Sequence, residues 1–134
     1  MSALLPYPAL ATLLALLVYG FDFLRCGQAR GRHKVVAPAV TGHPDFERKL
    51  RIQQNMVEQL IVFLPALWIF SETASAFWGG LLGLVFVIGR LLYSLAYAAD
   101  PAKRSLGFMI GAAATATLLL GGLAATLRLI VLLT

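Results

Sequence analysis

At 134 residues, with 60% hydrophobic and only 13% charged side chains and a mean hydropathy of +0.83, the chain lies outside the composition of soluble globular domains. Eleven Lys and Arg against six Asp and Glu leave a formal charge of +5. The basic residues fall between apolar stretches, so they point to orientation in a bilayer rather than to nucleic acid, and the single cysteine, Cys26, excludes an intramolecular disulfide or a multi-cysteine metal site.

The first apolar segment is predicted over about 3–24, with Pro6 and Pro8 in its first turns, where proline is tolerated. Some 20 apolar residues at about 1.5 Å each span about 30 Å, the thickness of the hydrocarbon core. The run is too long for a signal-peptide core and has no basic flank ahead of it, so it reads as a retained transmembrane helix. No charge precedes Asp22. Arg25 to Lys34 reads as a basic loop, and Pro38, Gly42 and Pro44 follow as breakers. Cys26 reads as packing, and His33 and His43 have no partner at metal-ligand spacing, so no metal site is expected.

The second segment, about 45–70, joins a polar half to an apolar one without a break. Asp45 is the expected N-cap. At 100° per residue, Glu47, Arg51, Asn55 and Glu58 fall within about 80° of one another, a single stripe. The purely apolar part is only about 11 residues, too short to span alone. Either the helix stops inside the membrane, or its polar turns lie at membrane depth behind other helices. Pro65 is expected to kink it, and Ser71-Glu72-Thr73 to form the next connection.

The third segment, about 75–99, carries Arg90, Tyr93 and Tyr97 at i, i+3 and i+7. Asp100 to Arg104 is a tight turn, and a fourth segment follows over about 105–133. Gly79, Gly80 and Gly83 on the third segment, and Gly107 and Gly111 on the fourth, allow close helix approach. Residues 1–134 thus read as a single all-α integral membrane domain, a four-transmembrane-helix bundle. The basic loops would face the cytoplasm and both termini the opposite side.

Polar side chains at membrane depth are costly and point to function. Arg51, Gln53, Asn55 and Glu58 on segment two, Arg90, Tyr93 and Tyr97 on segment three, and Arg104 and Ser105 at the start of segment four make such a set. Guanidinium exceeds carboxylate, so the matching ligand is an anion with carboxylates for the arginine forks. Blander readings exist for each: an Arg51–Glu58 or Glu58–Arg90 structural ion pair, Tyr93 and Tyr97 as interfacial belt residues, and Arg104 and Arg30 as surface anchors. Gln53 points about 160° away from Arg51 and needs a second neighbour, such as another subunit.

Phe46-Glu47-Arg48 followed by Arg51, Gln53, Asn55 and Glu58 gives F-E-R-x-x-R-x-Q-x-N-x-x-E. This resembles the signature of the membrane-associated proteins in eicosanoid and glutathione metabolism (MAPEG). Gly89-Arg90-Leu91-Leu92-Tyr93, Tyr97 and Arg104-Ser105 fit that family's third and fourth helices. The resemblance implies a homotrimer in the lipid bilayer that binds glutathione as co-substrate at each subunit interface. It implies that Arg30, Arg51, Gln53, Asn55, Glu58, Tyr93, Tyr97 and Arg104 hold glutathione, with Arg90 behind them as a partner for Glu58. Arg104, helped by Ser105, would favour the thiolate, which would attack a hydrophobic electrophile or a peroxide arriving from lipid. Gln59, Gly31 and Phe108 depart from residues of the family's eicosanoid synthases and argue against either eicosanoid reaction. A non-enzymatic lipid-binding member of the same family is the alternative. A small four-helix exporter would be expected to place a carboxylate within the first segment, and none precedes Asp22.

Overall fold

A computed structural model of the protein describes residues 5–134; Ala3 and Leu4 of the first expected segment lie outside them. Four helices, α1 (Pro6–Arg32), α2 (Pro44–Thr73), α3 (Ala76–Ala99) and α4 (Ser105–Leu133), pack as a bundle, with a 3-10 turn at Pro101–Lys103 before α4. All four are long and apolar enough to cross a membrane. The chain is an all-helical, multi-pass membrane protein, and its outer face of Leu, Ile, Val and Phe suits lipid contact.

The helix ends correct the sequence reading in three places. Arg25 to Arg32 is helix rather than loop, so α1 runs two turns further. Single glycines at Gly27 and Gly31 do not stop a helix, and basic side chains favour its C-terminal end. The N-cap of α2 is His43, not Asp45: the Asp45 N–H donates to His43 Nδ1 at 3.1 Å. The Asp45 carboxylate is engaged instead by His33 Nε2 at 2.9 Å and Lys49 Nζ at 3.1 Å, tying α2 to the end of α1. Finally, Ser71 to Thr73 belong to α2, which continues through Pro65 to Thr73. Only Ala74 and Ser75 link it to α3, with the Ser75 hydroxyl capping Trp78 N–H.

The centre of the bundle is an apolar cluster. Phe63 of α2 stacks on Phe86 of α3 with ring centroids 3.7 Å apart, and both are fully buried beside Met56, Leu67 and Leu118. Ala11 and Ala15 keep α1 close to them. Trp68 donates from Nε1 to Thr12 Oγ1 at 3.1 Å, a cross-link between α1 and α2.

Helices α3 and α4 touch through glycine. A Cβ on Gly89 would stand 2.7 Å from the Gly111 backbone nitrogen, and one on Gly107 would collide with the Tyr93 backbone. That contact fixes the distance between α3 and the start of α4. Gly107→Ala should therefore destabilise the bundle by about 1–3 kcal/mol. Gly27→Ala, with open space around it, should hold or raise stability through helix propensity. Thermal unfolding of the two variants in detergent makes the comparison, and equal midpoints would contradict the close-approach role.

Candidate functional site

A cavity of about 580 Å³ opens at the basic end of the bundle, where α2, α3 and the start of α4 meet. Its lining is Arg51 and Asn55 from α2, Tyr93 and Tyr97 from α3, Ala102 and Arg104 from the turn, and Ser105, Phe108 and Met109 from α4. Two guanidinium groups, two phenols, an amide and a hydroxyl converge on one space. The Gly89–Gly107 approach brings α4 near enough to α3 for this to happen.

Each polar group is held differently. Arg51 forks onto Glu58, Nη1 to Oε1 at 3.0 Å and Nη2 to Oε2 at 3.4 Å, and Asn55 Nδ2 donates to the same carboxylate at 3.3 Å. The i, i+4 and i+7 spacing of Arg51, Asn55 and Glu58 puts all three on one face of α2. About half of each of the Arg51 and Glu58 side chains stays exposed. Such a pair is weak and can exchange partners. Asn55 is buried, and its Oδ1 has no partner among the described residues.

On α3 the rings form a ladder. The Arg90 guanidinium lies 4.1 Å from the Tyr93 ring centroid, Tyr93 is 5.5 Å from Tyr97, and Arg104 lies 5.7 Å from Tyr97. Tyrosines between two cations use their ring faces for cation–π contact. Both residues line the cavity wall. Arg104 also donates from Nη1 to Pro101 O at 2.9 Å, which sets its direction at the cavity rim. The first N–H groups of α4, starting at Ser105, lack acceptors within the helix and add a positive dipole end there.

The structure brings six of the expected residues to this cavity wall: Arg51, Asn55, Tyr93, Tyr97, Arg104 and Ser105. Glu58 stands beside it through Arg51. Two do not come: Gln53 is half-buried outside the lining, and Arg30 is turned to the α1–α2 loop. Arg30 donates to Val35 O at 3.3 Å and Ala39 O at 2.8 Å and stacks on Phe46 at 4.5 Å. The expected Arg90–Glu58 pairing is replaced, because Glu58 is already bound by Arg51 and Asn55. Arg90 instead lies 1% exposed behind Tyr93, with Nε and Nη2 unpartnered among the described residues.

Asp22 and Ser94 were not singled out by the sequence reading. Both are buried, and the Ser94 hydroxyl donates to Asp22. The signal was an aspartate late in an otherwise uncharged helix. An exporter reading gains nothing from it, since this carboxylate is held by Ser94 and flanked by Arg25 and Arg90. A second, apolar cavity of about 630 Å³ lies between α2 and α4 near Trp68, Ile69 and Leu118. Its nearest α2 residue, Ala66, is eleven positions beyond Asn55, about 16 Å along the helix, so the two spaces are separate.

The model of the MAPEG family matches residues 7–124. An uncharacterized protein of Synechocystis sp. is 41% identical over 117 residues, covering 87% of this chain and 85% of its own. Human microsomal glutathione S-transferase 2 is 41% identical over 99 residues, 74% of this chain and 67% of that protein. The leukotriene C4 synthase of Cavia porcellus is 40% identical over 94 residues, 67% of this chain and 60% of that enzyme.

The two arginines on α2 and α3 should separate cleanly in a stability assay. Arg51→Gln removes a half-exposed pair and should leave the unfolding temperature nearly unchanged. Arg90→Gln removes a buried cation from between Tyr93 and Asp22 and should cost about 3 kcal/mol or more. Thermal melts in detergent decide it; equal losses would make Arg51 a structural residue.

Proposed function

The chain belongs to the MAPEG family, and from that premise we propose that it is a membrane-bound glutathione transferase whose thiol site is the cavity between Arg51 and Arg104. The observation that supports this most is the convergence of those two guanidinia with Tyr93, Tyr97, Asn55 and Ser105 on one space. Relatives about 40% identical over most of this chain are named glutathione S-transferases.

Glutathione carries two carboxylates, an amine and a thiol. Arg51 already binds a carboxylate in fork geometry, so a ligand carboxylate can take the place of Glu58 on Arg51. The freed Glu58 then receives the ligand's amine. Because the pair is half exposed, the exchange costs little. A thiol like that of cysteine has a pKa of about 8.5 in water, leaving a few per cent thiolate at pH 7. Arg104, with the N-terminus of α4 and the Ser105 hydroxyl, favours the anion. Each pKa unit lowered corresponds to about 1.4 kcal/mol of preferential thiolate stabilisation. The thiolate sulfur then bonds to an electrophilic carbon, the leaving group departs with the electron pair, and the thiol proton passes to water.

The arrangement makes best sense in a homotrimer, where Arg30 and Gln53, which do not reach the cavity of their own chain, complete that of a neighbour. The electrophile is apolar and arrives from the bilayer, since Phe108 and Met109 line the cavity beside the reacting groups. The basic end, with Arg30, Arg32, Lys34, Arg48 and Lys103, faces the cytoplasm by the positive-inside rule. Retention of Arg51, Glu58 and Arg104 favours an enzyme over a lipid-binding relative.

Stopped-flow ultraviolet absorbance on mixing purified protein with glutathione tests this reading. The native protein should show a thiolate signal and conjugate a generic aryl halide. Arg104→Ala should bind glutathione yet lose at least about 90% of the signal, a change of about 1.4 kcal/mol or more in thiolate stabilisation. Glutathione bound without any thiolate, and no conjugation, would refute the enzyme assignment.

A further inference from the structure

Arg90 has neighbours on its far side that the glutathione site does not use. Asp22 on α1 is 2% exposed and Ser94 on α3 is 0% exposed, and the Ser94 hydroxyl donates to Asp22 Oδ1. Arg25, three residues along α1, donates from Nη1 to Ser94 Oγ at 3.3 Å. Opposite charges on α1 are therefore joined through one hydroxyl on α3. Asp22 is the one buried carboxylate among the described residues, and a carboxylate in an apolar layer is retained only where cations offset it.

Helix geometry places Arg90 between this node and the cavity. At 100° per residue, Ser94 lies about 40° to one side of Arg90 on α3 and Tyr93 about 60° to the other. The guanidinium stacks on Tyr93, whose ring lines the cavity, while Asp22 lies within electrostatic reach of it from α1. The other charged or titratable groups around this pair are Arg25 on α1, Arg51 and Glu58 on α2, Tyr97 on α3 and Arg104 at the start of α4. Glu58 is engaged by Arg51 and Asn55. Asp22 is the carboxylate left to serve Arg90.

From this we infer that Asp22, held by Ser94, is a positioning residue that sets the charge behind the thiol site: it offsets Arg90, so the cavity presents Arg51 and Arg104 without a third uncompensated cation behind Tyr93. The inference rests on the glutathione reading of the cavity. Removing the negative charge while keeping the shape lets the field of Arg90 reach the bound thiol and favours its anion. Removing Arg25 instead strengthens the hold of Asp22 on Arg90 and disfavours it.

The test is the pH midpoint of thiolate absorbance at saturating glutathione, measured on purified full-length protein in detergent. Asp22→Asn should move the midpoint down by about half a unit to one unit, the scale of one charge acting through an effective dielectric of about 20. Asp22→Glu should stay with the native protein, and Arg25→Gln should move the midpoint up. A purely structural link would lower thermal stability and leave every midpoint in place. An Asp22→Asn midpoint equal to the native one overturns the inference, as does an Asp22→Glu midpoint displaced as far as that of Asp22→Asn. Should Asp22→Asn fail to fold, the half-buried Arg25 decides: an unchanged or lowered midpoint in Arg25→Gln overturns it. No thiolate signal in the native protein would defeat the glutathione reading itself, whereas a native signal that ignores both charge changes defeats this inference alone.

Discussion

Burying one guanidinium in an apolar four-helix bundle is the constraint that shapes the rest of this structure. Arg90 is fully enclosed, in a layer where its neighbours along α3 are mostly Leu, Val and Phe. A cation there requires an aromatic face, a counter-charge and room for a long stem. Tyr93 supplies the face and Asp22 the counter-charge, and the stem of Arg90 runs beside Gly111 of α4. The same small-residue contact between α3 and α4 brings Arg104 and Ser105 over the tyrosines. The cavity is thus a consequence of how the bundle accommodates Arg90, not an addition to it.

Much of this was legible in the sequence, for reasons that differ by residue. Four spans follow from hydropathy and length alone, and α4 begins at Ser105 because Asp100-Pro101 forces a turn immediately before it. The i, i+3, i+7 spacing of Arg90, Tyr93 and Tyr97 anticipated one stripe, and the structure makes it a ladder. The end of α1 was not legible. Arg25 to Arg32 is polar and contains two glycines, so it resembles a loop, but without a proline it continues as helix until Lys34 adopts a positive φ of 54°. Tertiary partners were illegible too: whether Glu58 takes Arg51 or Arg90 depends on rotamers and on Asn55, which spacing does not determine.

Asp22 shows why single residues escape a pattern search. Its partners, Ser94 and Arg90, stand about 70 positions away on α3, and no periodicity on α1 refers to them. Only the rule that a charge inside an apolar helix needs a partner would have marked it. The two polar groupings it connects are unlike each other. The Arg51–Glu58 pair is open and exchangeable, suited to a charged ligand. The Asp22–Ser94–Arg90 node is closed and sets a background charge.

The central claim is that this cavity recognises an anion through its carboxylates. Titration calorimetry of purified protein with glutathione, set beside glutathione esterified at both carboxylates, tests it most directly. Loss of the charge-assisted fork on Arg51 should weaken binding of the diester at least about tenfold, or about 1.4 kcal/mol. Equal affinity for the two compounds would contradict the account, because Arg51 would then have no part in choosing the ligand.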